Sequence, residues 1–341
     1  MKKFLLLCCL VTALFSCQED HKVAHATKAF YYWKNNEWNF EPEEQRAIES
    51  LGAKKLYIKF FEVEHNEFMG DYPTAKTNLN LHTYDSLTVV PSVYLRNEVF
   101  LKTTKGRLDT LADNVNFLIL KYSGELKDQI TEYQMDCDWT PKSRDNYFYF
   151  LKKLKGISAK KISCTLCLYP YKYPEKMGIP PVDRATLMCY NLINPLTDHT
   201  KNSILDLDEL KAYVKGVKEY DLPLDVALPI YSWMQVYQNN QFSTVTYDDC
   251  KTLKNSVMKP DKPLWYVVTK DTTVNNIYLR IGDRIKYEEI TAEKVNNAID
   301  ILKQNVPFGD SITVTLFHLD QNQLSNYSNE DLSGFYSRFT K

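Results

Sequence analysis

The sequence predicts a (β/α)8 TIM barrel, and three observations carry that reading. Strand-like and helix-like runs alternate from residue 28 to the C-terminus. Eight of the strand runs recur at a spacing that leaves room for a helix between most of them, the alternation of a closed parallel sheet. No strand run leads into a glycine-rich G-x-G-x-x-G turn, and the chain holds only 10 Gly, which argues against a doubly wound nucleotide-binding sheet.

The elements follow in order. "KAFYYW" (28–33) reads as the first strand, and "EPEEQRAIESLG" (41–52) as a helix stopped by Gly52. "KKLYIKFFEVE" (54–64) and "LTVVPSVYL" (87–95) are the second and third strands, and residues 109–127 are helical. "EYQMDCDW" (132–139) is the fourth strand, followed by the helix of "SRDNYFYFLKKLKG" (143–156). "KKISCTLCLYP" (160–170) and "RATLMCYN" (184–191) are the fifth and sixth, and "DLDELKAYVKGVKEY" (206–220) is helical. "PLDVALPIYSW" (223–233) is the seventh strand. The helix "TAEKVNNAIDILKQN" (291–305) leads to the eighth, "DSITVTLFHLD" (310–320), and "NEDLSGFYSRF" (329–339) ends the chain as a helix. Residues 237–290 break the alternation with short β-type runs joined by polar turns. They read as a β-rich insertion over the C-terminal rim, either a cap or a wall of a cleft.

Residues 1–16 carry Lys2 and Lys3 before an apolar run from Phe4 to Phe15, the pattern of a removable targeting segment. The run ends in "LFSC", which resembles a bacterial lipobox. That resemblance implies a lipid on Cys17, a linker over 17–27, and a barrel domain over 28–341. Membrane attachment through Cys17 then puts the protein in the bacterial outer membrane. The "QED" after Cys17 is similar to surface-export signals of some envelope lipoproteins.

The net charge is −1, and no basic stripe marks a nucleic-acid surface. Leaving aside Cys8, Cys9 and Cys17, the cysteines are Cys137, Cys164, Cys167, Cys189 and Cys250. Their odd number and irregular spacing make no disulfide framework. "SCTLC" lies in a strand run, so its two sulfurs project to opposite faces and form neither a redox pair nor half of a zinc site. No cofactor or metal is expected. The 24 Tyr, 16 Phe and 5 Trp fit either a large core or a cleft that stacks on sugar rings.

Barrel chemistry sits at the C-terminal strand ends. There the sequence puts Trp33, Glu62, Glu64, Asp136, Asp138, Tyr190, Asn191, Tyr231, Trp233 and His318. Gln134, Asp136 and Asp138 alternate with Met135, Cys137 and Trp139, so a strand shows the polar set on one face. Several carboxylates beside aromatic rings suit glycan chemistry: one carboxyl protonates the glycosidic oxygen, another stabilises or attacks the oxocarbenium ion, and rings hold the sugar faces. Asp138, Asp136, Glu62 and Glu64 are the catalytic candidates, and Trp33, Tyr190, Asn191, Tyr231, Trp233 and His318 the substrate-binding ones. Each also has a plain reading: Asp136 as an interior hydrogen-bond node, the glutamates on an exposed loop, His318 as a rim histidine, the tryptophans in the core.

"YQMDCDWT" followed by a tyrosine-rich helix resembles the D-x-x-D-x-D-W-E signature of chitinase-like family-18 glycoside hydrolases. "LMCYN" and "ALPIYSW" are similar to that family's sixth- and seventh-strand patterns. The resemblance implies a barrel that acts on or binds a glycan. It also aligns Thr140 with the family's catalytic glutamate, Tyr133 with its first aspartate and Asn191 with its sixth-strand aspartate. Chemistry through position 140 is thereby closed, because a threonine hydroxyl does not protonate a leaving group near neutral pH. Closer still is a family of uncharacterised bacterial barrels related to those hydrolases. The expectation is a hydrolase of altered mechanism; the alternatives are a non-catalytic carbohydrate-binding protein and a structural envelope lipoprotein.

Overall fold

The computed structural model describes residues 23–34, 39–77, 87–247, 250–274 and 276–341. The expected targeting segment, Cys17 and residues 18–22 of the expected linker lie outside them.

β1 (His25–Tyr32) begins inside the segment read as linker, with His25 paired to Ser311. Helix α1 (Pro42–Leu51) starts with proline in its first turn and ends on Gly52 at φ 65°, a left-handed conformation that glycine adopts without Cβ strain. β2 (Lys55–Asn66) outruns its expected end and turns back into β3 (Gly70–Thr74), a hairpin the sequence reading missed. β4 (Thr88–Leu95), α2 (Asn97–Lys102), α3 (Lys105–Ser123), β5 (Glu132–Asp136) and α4 (Arg144–Ser158) follow. β6 (Lys161–Leu166) is shorter than expected; Leu168–Lys172 is helix α5, followed by α6 (Pro174–Met177). Next come β7 (Arg184–Met188), α7 (Leu207–Val214) and β8 (Leu224–Pro229).

The insertion opens at Trp233, earlier than the sequence reading set it. It holds β9 (Trp233–Gln238), β10 (Gln241–Thr246), helix α8 (Cys250–Ser256), β11 (Met258–Lys262), β12 (Trp265–Val268), β13 (Thr272–Val274), β14 (Ile277–Leu279) and β15 (Arg284–Glu288). Helix α9 (Ala292–Asn305), capped by the Thr291 side chain, leads to β16 (Ser311–Phe317), α10 (Gln321–Leu324) and α11 (Asn329–Ser337).

The parallel strands run in the order β1, β16, β8, β7, β6, β5, β4, β2, and β2 pairs back to β1. This closes the predicted eight-stranded barrel, in which β5 is the fourth strand. Closure leaves no sheet edge in the ring. The insertion forms a separate antiparallel sheet ordered β10, β9, β15, β12, β11. It has its own small core, including Met234, Val236, Leu253, Val268 and Ile285.

The alternation seen in β5 sets the barrel interior. Glu132, Gln134 and Asp136 point inward and each meets neighbouring strands. Glu132 accepts from Lys55 at 2.7 Å and Ser163 at 2.6 Å. Gln134 accepts from Ser92 and donates to Thr186, both at 3.2 Å. Asp136 accepts from Thr165 at 2.6 Å. Tyr133 and Met135 point the other way and are buried in the hydrophobic layer. A buried polar row of this kind is tolerated because its members bond to one another.

Candidate active site at the C-terminal end of the barrel

The C-terminal strand ends open into a cavity of about 800 Å³, within the range of small-ligand sites. Trp33 follows β1, Glu62 lies on β2, Tyr94 is the penultimate residue of β4 with Arg96 just beyond the strand, and Asp136 ends β5. Asp138 stands two residues past β5, Cys167 immediately past β6, and Tyr190 and Asn191 just past β7. Tyr169 from α5, Tyr213 from α7 and Phe317 from β16 complete the aromatic wall.

Local contacts fix several of these side chains. Trp139 lies against Tyr147, and its indole N–H donates to the Met177 carbonyl at 3.1 Å. Gly178, at φ 72°, follows that carbonyl; a Cβ there would come within 2.8 Å of Arg144 and Phe148. Asn191 has φ 54°, a left-handed conformation that asparagine accepts more readily than most residues. Its Oδ1 accepts from the Tyr231 hydroxyl at 2.6 Å.

The carboxylates fall into two sets. Glu62 pairs with Lys59 at 2.5 Å and lies 3.7 Å from Arg96, whose Nε is 3.0 Å from Glu64. In that set two cations answer two anions. Asp136 and Asp138 form the other set, and no described lysine, arginine or histidine makes an ion pair with either. Asp136 has the Thr165 hydroxyl, and Asp138 has the Cys167 thiol, whose sulfur is 3.0 Å from Oδ1. Desolvation pushes the Asp136 carboxyl up to about 7, helped by the nearby Asp138 and Glu62 charges and opposed by the Thr165 hydrogen bond and Lys59. An aspartate that titrates near neutrality beside a second carboxylate can hold and release a proton at working pH.

The structure thus brings together Trp33, Glu62, Asp136, Asp138, Tyr190 and Asn191 from the sequence candidates. Four others stand outside the cavity wall. Glu64 points along the β2–β3 hairpin to Arg96 and Tyr72. Tyr231 is buried behind Asn191, against Tyr190 and Phe317. Trp233 begins the insertion sheet and its indole N–H is taken by Glu288. His318 packs on Phe317 with Nδ1 unbonded, and burial lowers its pKa to about 4. The strand-end rule found the rim; contacts with distant segments decided which rim residues face in.

No described residue of 237–290 lines the cavity either. The insertion instead grips the loop after β7. Lys286 donates to the Asp198 carbonyl, Trp265 to the His199 carbonyl, and Glu288 accepts from both the backbone N–H and hydroxyl of Ser203. The cleft-wall expectation therefore gives way to a buttress. The sequence reading also passed over Cys167, Tyr169 and Tyr213. Placing the end of β6 at Leu166, before the proline-containing helix α5, would have put Cys167 on the rim.

No protein-family model and no curated protein matches this chain. Solved structures with the same architecture do. The spore cortex-lytic enzyme SleL of Bacillus megaterium QM B1551 superposes with a TM-score of 0.56 at 14% identity, over 91% of this chain and 74% of that one. SleL of Bacillus cereus gives 0.54 at 13%, over 92% and 74%. The chitinase RmChi1 of Rhizomucor miehei gives 0.51 at 11%, over 92% of this chain and all of that one (100%). At these identities the likeness is one of fold: the chain shares the TIM-barrel architecture of these structures.

Proposed function

We propose that this protein is an envelope-anchored barrel that takes a glycan into the C-terminal cavity and hydrolyses it through the Asp136–Asp138 pair. The observation that carries the reading is that pair itself: two carboxylates without an ion-pair partner among the described residues, in a cavity walled by Trp33, Tyr94, Tyr190 and Phe317. Rings of this kind stack on sugar faces, and a carboxyl poised near neutrality beside a second carboxyl supplies both halves of acid–base chemistry. The fold shared with a cortex-lytic enzyme and a chitinase supports a glycan as the substrate class, by analogy of fold.

The mechanism would differ from that of chitinases. Thr140 lines the cavity where the sequence resemblance aligns a glutamate, and its hydroxyl lies 3.2 Å from that of Ser143. The same observation favours a second reading, a cavity that binds a glycan without cleaving it. The anchor is part of the proposal too. β1 enters the barrel at His25, at the end opposite the cavity, so a lipid on Cys17 would tether that end and leave the cavity facing away from the membrane.

Incubation with a broad panel of oligosaccharides, followed by assay of new reducing ends, tests hydrolysis. Release by the wild type that disappears in Asp138→Asn is the expected result. Binding without release, by both proteins, selects the second reading. Neither binding nor release overturns the glycan reading.

A further inference from the structure

Cys167 is half of the C-x-x-C run "SCTLC", to which the sequence assigns no function, and the structure gives its thiol a specific neighbour. It is partly buried, whereas the other described cysteines are buried, and it stands on the cavity wall with its sulfur 3.0 Å from Asp138 Oδ1. Its C-x-x-C companion Cys164 is fully buried in the hydrophobic layer. Burial and the Asp138 charge hold the Cys167 thiol well above its usual value, so the sulfur keeps its proton and acts as the donor in this contact.

The geometry points to Cys167 as a positioning residue for the carboxylate pair: its S–H donates to Asp138, favours the ionised form of that side chain, and leaves the pair's exchangeable proton on Asp136. Two like charges side by side do not both ionise readily, and small differences in their surroundings choose which one holds the proton. The surroundings are unequal. Asp136 is the more enclosed, with Thr165 of β6 bonded to it, Lys59 and Glu62 of β2 and Tyr94 of β4 beside it, and Tyr31 of β1 and Tyr190 after β7 close by. Asp138 is exposed to the cavity, faces Tyr94, Cys137 and Asp136, and has the thiol as its donor. Solvent and a donor both favour charge on Asp138; enclosure favours the neutral form of Asp136. In the terms of the proposed hydrolysis, on which the roles rest, Asp136 is then the group with a proton to give and Asp138 the standing carboxylate.

The test reads protonation directly and needs no substrate. Full-length protein labelled with ¹³C at the aspartate carboxyl carbons is titrated by NMR, with Asp136→Asn and Asp138→Asn identifying the two resonances. The expected wild-type result is an Asp136 carboxyl titrating near neutrality, at about 7, with the pair's exchangeable proton on Asp136. In Cys167→Ala the two titrations move toward each other by roughly half a unit or more, and Cys167→Ser, which keeps a donor, restores the separation. A wild type in which Asp138 holds the proton overturns the inference, as does a folded Cys167→Ala with both titrations unchanged. A Cys167→Ser protein that behaves like Cys167→Ala overturns it too, because the effect would then be one of packing. Failure of the glycan reading leaves this measurement intact: the oligosaccharide panel reports on ligand, the titration on the proton.

Discussion

Two carboxylate centres of this molecule are built in opposite ways. Glu288, at the end of the insertion sheet, is fully buried and surrounded by donors. Lys286 stands 2.8 Å from it, Ser203 gives a backbone N–H at 2.8 Å and a hydroxyl at 2.6 Å, Gln235 donates at 3.0 Å, and Trp233 adds its indole N–H. Asp136 accepts from a hydroxyl and Asp138 from a thiol, and neither has an ion-pair partner among the described residues. A saturated buried carboxyl has no capacity left for a ligand or a proton and serves as a joint. An under-supplied pair facing a cavity is costly to ionise, and that cost is what brings a carboxyl into the neutral range. Neither fact follows from residue type, because both centres are acidic residues beside aromatic ones.

The contrast breaks most visibly at the joint. Glu288→Ala leaves Lys286 buried without its counter-charge and Ser203 and Gln235 without their acceptor. The expected loss is about 3–5 kcal/mol, read as a lower urea midpoint, with faster amide exchange in the loop after β7. An unchanged midpoint would mean that the insertion does not hold that loop.

Asp136→Asn should act in the other direction, and only at some pH values. In the unfolded chain an aspartate releases its proton near 3.8, whereas Asp136 keeps its proton up to about 7. Between those values the folded state binds the extra proton, so wild-type stability falls as pH rises from about 4 to about 7. Asparagine removes that slope. At pH 8 the variant should be more stable than wild type by roughly 2–4 kcal/mol, the upper figure being the full linkage of about three pH units, with little gain at pH 4, as urea titrations at the two pH values would report. A variant equally destabilised at both would make Asp136 a structural node like Glu288.

The smallest effect concerns the cavity wall. Tyr231→Phe removes the hydroxyl that holds Asn191 and costs about 1 kcal/mol of stability. It should weaken binding of a panel oligosaccharide several-fold, as calorimetry would measure, because the freed Asn191 amide can turn. Unaltered affinity would take Asn191 out of the binding wall.

Much of this was legible in the sequence. The alternation of strand and helix runs predicted the closed barrel, and the break over residues 237–290 located the inserted sheet to within a few residues. The period-two pattern of Gln134, Asp136 and Asp138 predicted a polar inner face on β5, because side chains on a strand alternate by geometry alone. The β2–β3 hairpin escaped because its return strand, Gly70–Thr74, contains Pro73 and shows little apolar alternation. Tertiary contacts decided the rest. Glu62 and Glu64 are two residues apart on one strand, yet Glu62 lines the cavity while Glu64 is carried past it along the hairpin. Tyr190 and Tyr231 both follow barrel strands, and a 2.6 Å hydrogen bond to Asn191 puts Tyr231 behind the wall that Tyr190 forms. Local periodicity fixes which face of a strand a side chain takes. Which donors meet a carboxylate there depends on segments distant in sequence, as Cys167 is from Asp138, and only the closed barrel brings them within 3.0 Å.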